Sequence, residues 1–133
     1  MAEAVAESLV RRGVLSGAKV IFSSAGVAAA NGSLISPDAR SALARKGIEF
    51  SGRSRHLVPV MVERAFAVLG MTQHHVEEAQ GLVGAGQGGA LIERLDPSGD
   101  IEDPVGMGAE EYDRVLEHLL HLMPTRLSEI LRT

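Results

Sequence analysis

An α/β domain with a mainly parallel sheet is predicted by three observations. Three short apolar runs of strand length, at 19–24, 66–71 and 90–95, are separated by segments with helical spacing and recognisable helix starts and stops. The whole occupies 133 residues with 45% hydrophobic content, enough for a single buried core without staples. Strands alternating with helices close into a layered α/β arrangement. We therefore expect residues 1–133 to form one domain.

The elements follow in order. A helix over 1–12 places Met1, Val5 and Leu9 on one stripe and Glu3 and Glu7 on another, with Arg11 and Arg12 in its last turn and Gly13 as its stop. Residues 19–24 (Lys-Val-Ile-Phe-Ser-Ser) read as a buried strand ended by Ala25-Gly26. Ser36 and Pro37 supply an N-cap and a first-turn proline for a helix to Lys46, stopped by Gly47. Residues 48–50 form a short extended piece before the turn Ser51-Gly52, and a helix over 59–65 leads into the strand at 66–71. Thr72 caps a helix over 73–81, the glycine-rich loop 84–89 follows, and 90–95 is the third strand. After a loop over 96–108, a closing helix from Ala109 carries Leu116, Leu119, Leu120, Met123, Leu127, Ile130 and Leu131 on one face. Pro124 is expected to kink or split it.

Composition narrows the function. Thirteen Lys+Arg against 17 Asp+Glu give a net charge of −4, with no basic stripe interleaved with aromatics, which argues against nucleic acid as a partner. No apolar stretch approaches the ~20 residues that cross a bilayer, and the N-terminal residues lack a basic-then-apolar pattern. A cytoplasmic domain with no membrane partner is the expectation. With no cysteine, a disulfide framework, a thiolate zinc site and cysteine-based nucleophilic catalysis are excluded for these 133 residues.

Few constellations suggest chemistry. The glycines at 84–89 precede a strand instead of a helix and lack a lysine, so they read as a linker. His118 and His121, with Glu117, have the spacing of a metal pair but equally that of a solvated helix face, and His74 and His75 point to different faces. No metal site and no cofactor are therefore expected. The segment Asp100-Ile101-Glu102-Asp103-Pro104-Val105-Gly106 is more informative, since it puts carboxylates in a loop beyond the carboxyl end of the third strand, where open α/β sheets bind ligands.

Four segments in order resemble the low-molecular-weight protein tyrosine phosphatase family, particularly its bacterial phosphoarginine phosphatase branch. They are Met1-Ala2-Glu3-Ala4, Ser24-Ala25-Gly26-Val27-Ala28-Ala29, Met71-Thr72-Gln73-His74-His75 and the Asp100 to Gly106 loop; Leu43-Ala44-Arg45-Lys46-Gly47-Ile48 and Arg53-Ser54-Arg55-His56-Leu57 fit the family's middle. The resemblance implies a Rossmann-like three-layer domain whose short parallel sheet has four strands in the family. It implies hydrolysis of phosphotyrosine or phosphoarginine, in a phosphorylated protein or small phosphoester, through a phosphocysteine. Asp103 would be the general acid and base, and Ser24 would brace the phosphate loop.

The family's C-x5-R-S-P phosphate loop directly precedes M-A-E-A. The nucleophile, its Arg, the anion cradle and the first strand would therefore lie before Met1, and the 133 residues are expected to be a truncated, inactive domain. The alternative is a non-catalytic binding or scaffold domain derived from a phosphatase. Val105, Gly106 and Ala30 stand where tyrosine-specific members tend to carry aromatics, which favours phosphoarginine or a small substrate. Without the first strand, 19–24 and 66–71 would lie roughly 9.6 Å apart, two strand spacings. They are expected to draw together, to be filled from another molecule, or to leave the chain poorly folded; exposed strand edges offer a route to homo-oligomers. Arsenate reduction is disfavoured because no resolving thiol is present.

Overall fold

The computed structural model describes residues 1–15, 20–26, 35–50, 52–83 and 89–132. Helix α1 (Ala2–Arg11) has Glu3 in its first turn and Arg11 in its last, matching the helix dipole. Helix α2 (Pro37–Arg45) starts as its sequence demands: the Ser36 hydroxyl accepts from the Ala39 N–H at 3.3 Å, and Pro37 takes the first turn. Helix α3 (Pro59–Arg64) leads to strand β1 (Ala67–Gly70). Helix α4 (Gln73–Val83) begins where Thr72 Oγ1 accepts from the His75 N–H at 3.3 Å. Strand β2 (Leu91–Arg94) and helix α5 (Ala109–Leu131) complete the order.

The two strands pair in parallel, Ala67 with Leu91 through Gly70 with Arg94. Such a crossover needs a helix, and α4 supplies it, packing on both strands and on α3. The opposite layer is formed by α1, α2 and α5. Its core joins Val5 and Leu9 of α1, Ala42 and Leu43 of α2 and Leu116, Leu119, Met123 and Leu127 of α5, with Leu95 and Ile101 from the strand end. The mixed helix and strand fold with a short parallel sheet is thus the one expected.

Two close contacts fix the layers. A Cβ on Gly70 would lie 3.0 Å from Val76 Cγ2 and 3.1 Å from both His75 Cβ and Val76 N, so α4 approaches the sheet only because position 70 has no side chain. On the other face Arg126 of α5 donates to the carbonyls of Leu95 at 2.9 Å and Arg94 at 2.8 Å and pairs with Glu93 at 2.9 Å, clasping the end of β2. Gly70→Ala is expected to cost about 1–3 kcal/mol by overpacking. Gly81→Ala, in α4 with open space around it, should instead stabilise by about 0.5–1 kcal/mol. Urea unfolding of the two variants reads the opposite signs.

Two expectations are corrected. Among the described residues, 20–25 form no strand and join no sheet; the chain pairs there only through the single parallel bridge Gly26 to His56. Hydrogen bonds need a neighbouring strand, and no described residue provides one along 20–25. Pro124 does not split the closing helix, which runs unbroken through it. The proline removes one N–H, yet Met123 and Leu127 on either side are buried against the core and hold the helix in place. The glycines 84–88 lie outside the described residues.

Residues 20–26 and β1 have not drawn together. An apolar groove of about 590 Å³ lies between them, with Met123, Leu127 and Ile130 of α5 and Met61 of α3 along its walls. Because Phe66, Val68 and Gly70 direct their main-chain groups to β2, those of Ala67 and Leu69 face the other way, toward this groove. Ile21, 95% exposed, and Phe66, 60% exposed, stand at its margins.

Candidate active site

The carboxyl end of β1 and the loop after β2 meet the N-terminal end of α1. Three anchors set that loop. The Ile101 N–H donates to the Met71 carbonyl at 2.8 Å, and the Ile101 side chain is buried. Asp100 Oδ1 accepts from the Gln73 N–H, at the start of α4, at 2.9 Å, and lies 3.4 Å from Arg94 Nη1. A carboxylate at a helix start is favoured by both the free N–H groups and the dipole. Pro104 is buried, which fixes the backbone on the far side of Asp103.

Asp103 itself is exposed, and its Oδ1 accepts from the Val105 N–H at 3.0 Å, an Asx-type turn. The loop then turns through Gly106 and Gly108, at φ 76° and 90°, into α5. Burial lowers the pKa of the Met1 α-amino group, while the negative charges of Glu3 and then Asp103 oppose that shift. The Asp103 carboxylate is therefore within electrostatic reach of the first residue of the α1 region.

Ser24 arrives from the other side. Its hydroxyl donates to Glu3 Oε1 at 2.6 Å, tying the end of the segment 20–25 to the first turn of α1. The two residues singled out from the sequence, Asp103 and Ser24, thus flank one helix start at the mouth of the groove. Glu3 also interacts with Glu7, whose carboxyl pKa is raised by burial first and by the Glu3 hydrogen bond and charge next, with Arg11 opposing.

Glu3 and Asp100 were missed as site residues. Glu3 lies inside the quoted Met1-Ala2-Glu3-Ala4 segment, but periodicity assigns it merely to a polar stripe; its partner is 21 residues away in sequence. Asp100 was legible as an acid in the loop, whereas its role at the start of α4 depends on the crossover.

The other candidates do not converge. His118 pairs with Asp96 at 2.9 Å, Glu117 with Lys46, and His74 with Glu78 at 3.7 Å. Among the described residues no group of three metal-ligating side chains exists. Ala30 lies outside the described residues, and Val105 is 65% exposed beside Asp103.

Asp96 has a lowered pKa, from the Ser98 N–H first, with His118 and Arg94 assisting against the cost of burial. A carboxylate with a depressed folded-state pKa contributes stability above its unfolded value of about 3.9, lost as pH falls through the folded one. Acid titration of the wild type should therefore lower the unfolding midpoint below about pH 4. Asp96→Asn should flatten that limb, and an unchanged limb would refute the assignment.

Comparison with known proteins agrees with this geometry. A family model described as low molecular weight phosphotyrosine protein phosphatase matches residues 1–132. Among solved structures, a YwlE arginine phosphatase mutant whose active-site serine is phosphorylated superposes with a TM-score of 0.84 at 28% identity, covering 99% of this chain and 86% of that one. The YwlE arginine phosphatase from Geobacillus stearothermophilus gives 0.75 at 33% identity, covering 98% and 82%. A low molecular weight protein tyrosine phosphatase from Bacillus subtilis gives 0.82 at 29%, covering 98% and 87%. No curated sequence matches significantly. No helix among the described residues is long and apolar enough to cross a membrane. With a family model matching almost its whole length and its Asp-Pro loop set against the start of α1, the chain belongs to the low molecular weight phosphotyrosine protein phosphatase family.

Proposed function

We propose that residues 1–133 form a single phosphatase domain that carries the acid/base half of a phosphoryl-transfer site, acting on phosphoarginine or phosphotyrosine in a protein or on a small phosphoester. The observation that carries this reading is Asp103, held by its own loop within electrostatic reach of the start of α1. A helix start favours a bound phosphoryl group through its free N–H groups and dipole. Protonated Asp103 would give its proton to the leaving nitrogen or oxygen as the bond to phosphorus breaks. Its carboxylate would then take a proton from the water that releases phosphate from the nucleophile. Ser24 and Glu3 hold the neighbouring backbone in place.

Phosphoarginine is the favoured substrate of the two. The exposed large apolar residues beside Asp103 are Val105 and Met107, so among the described residues this loop offers aliphatic surface and no ring for a phenol to stack on. Two of the superposed structures are arginine phosphatases.

The second reading, a binding domain without catalysis, is favoured by one observation: none of the 133 residues is a cysteine. The two readings part in one experiment. The chain is produced with a strand and a C-x5-R-S-P loop joined ahead of Met1, and hydrolysis of phosphoarginine and of an aryl phosphate is followed. Turnover that requires the added cysteine supports the phosphatase reading. A folded but inert fusion overturns it and leaves the binding domain.

A further inference from the structure

The groove between residues 20–26 and β1 has no part in the proton transfers assigned to Asp103, and each of its flanks has the character of a strand without a partner across it. Ala67 and Leu69 of β1 direct their main-chain N–H and carbonyl groups into the groove, because those of Phe66, Val68 and Gly70 bond to β2. Among the described residues the sheet holds β1 and β2 alone, so no strand pairs with that edge. Across the groove, Val20, Ile21 and Phe22 have the composition of a buried strand, yet Ile21 is 95% exposed. A row of main-chain groups at an open strand edge is a template for another strand.

The walls specify the occupant. Met61 of α3 and Ala79 of α4 line one face, Met123 and Leu127 of α5 the other, so both sides of an inserted strand meet apolar surface. Such a strand is a continuous aliphatic or β-branched run, since an alternating one would bury every second side chain without a hydrogen-bond partner. Residues 66–71 border the groove throughout, which sets its length at about five or six residues at about 3.3 Å each. Its ends differ in charge. Arg64 lines it beside Phe66, where β1 begins, and Glu3 lines it at the start of α1, toward which β1 runs. A carboxylate ahead of the run and a cation after it match those ends only when the run lies parallel to β1, the sense in which β1 and β2 already pair.

We propose that this groove is a strand-addition site that takes, from a separate polypeptide, an apolar run of about five residues preceded by an acidic residue and followed by a basic one. The run lies between residues 20–25 and β1, parallel to β1. Its main chain bonds to Ala67 and Leu69, which supplies affinity, and the two apolar faces select its sequence. The same strand covers Ile21 and Phe66, the large apolar side chains exposed at the margins. This goes beyond the phosphatase reading and does not rest on it.

The test uses the 133-residue chain and a labelled synthetic peptide with alternating valine and isoleucine between a glutamate and a lysine, followed by a soluble glycine-serine tail. Anisotropy reads the affinity, and amide exchange by NMR reads the site. Binding should slow exchange at the Ala67 and Leu69 N–H groups and leave that of Val68, already bonded to β2, little changed. N-methylation of two central peptide residues removes hydrogen bonds without touching the protein and should weaken binding about tenfold or more. A peptide alternating valine with serine should bind at least tenfold more weakly than the apolar one. Arg64→Gln should cost the peptide about two- to fivefold, the factor of an exposed ion pair, and leave a peptide lacking the glutamate unaffected. Equal affinity for the N-methylated or the valine-serine peptide overturns the proposal, as does binding that leaves exchange at Ala67 and Leu69 unchanged. Sedimentation of the chain alone as a dimer with those two amides already protected also overturns it, because a second copy then fills the groove. None of these outcomes involves phosphate or turnover, so they stand apart from the fate of the catalytic reading.

Discussion

The purified 133-residue chain is expected to hydrolyse neither phosphoarginine nor an aryl phosphate above the buffer rate. The reason is chemical. The family's step passes the phosphoryl group to a thiolate, and the chain has no cysteine. Asp103 is not expected to take that role: it is exposed and engaged with the Val105 N–H, which suits the proton transfer proposed for it. Loss of a nucleophile alone costs on the order of a millionfold in turnover, since the remaining groups act as one unit. Release of phosphate from either substrate, measured at high protein concentration, is the check. Turnover that scales with protein would require a nucleophile of another kind.

The second large effect concerns Asp103 in the fusion that restores a cysteine loop. Asp103→Asn should lower kcat by about 10²- to 10⁴-fold, the contribution of one positioned acid/base group. Asparagine preserves the acceptor oxygen that receives the Val105 N–H, so the turn is kept and the proton is lost. The loss should be larger for an alkoxide-like leaving group than for an aryl phosphate with an acidic phenol, because a good leaving group needs less protonation. Equal losses for both would mean that the substitution distorted the loop. Asp100→Asn is the structural companion, since it weakens the anchor at Gln73 N; it should lower stability and activity together.

Most of the fold was legible because its signals are local. Ser36-Pro37 wrote the start of α2, Thr72 the start of α4, and the apolar spacing of Leu116, Leu119, Met123 and Leu127 wrote the buried face of α5. The parallel pairing of β1 and β2 followed from the helix between them. Asp103 was legible as an acid in a loop beyond a strand end and acquired a role through resemblance in order and spacing.

What failed were the statements that depend on a neighbour. Residues 20–24 have the composition of a strand, but a strand exists only when another pairs with it, and across the groove β1 does not. Pro124 has the chemistry of a break, yet side chains buried on either side keep the helix whole. The contact of Glu3 with Ser24 spans 21 residues, and the bond of Gln73 to Asp100 spans 27. The sequence by itself determined the helices, the α/β class and the acid Asp103, because caps, periodicity and turn chemistry act within a few residues. The tertiary structure alone decided that Ser24, Glu3 and Asp103 meet at the start of α1 while Asp100 holds the start of α4, because hydrogen bonds and charge act through space and take no account of separation along the chain.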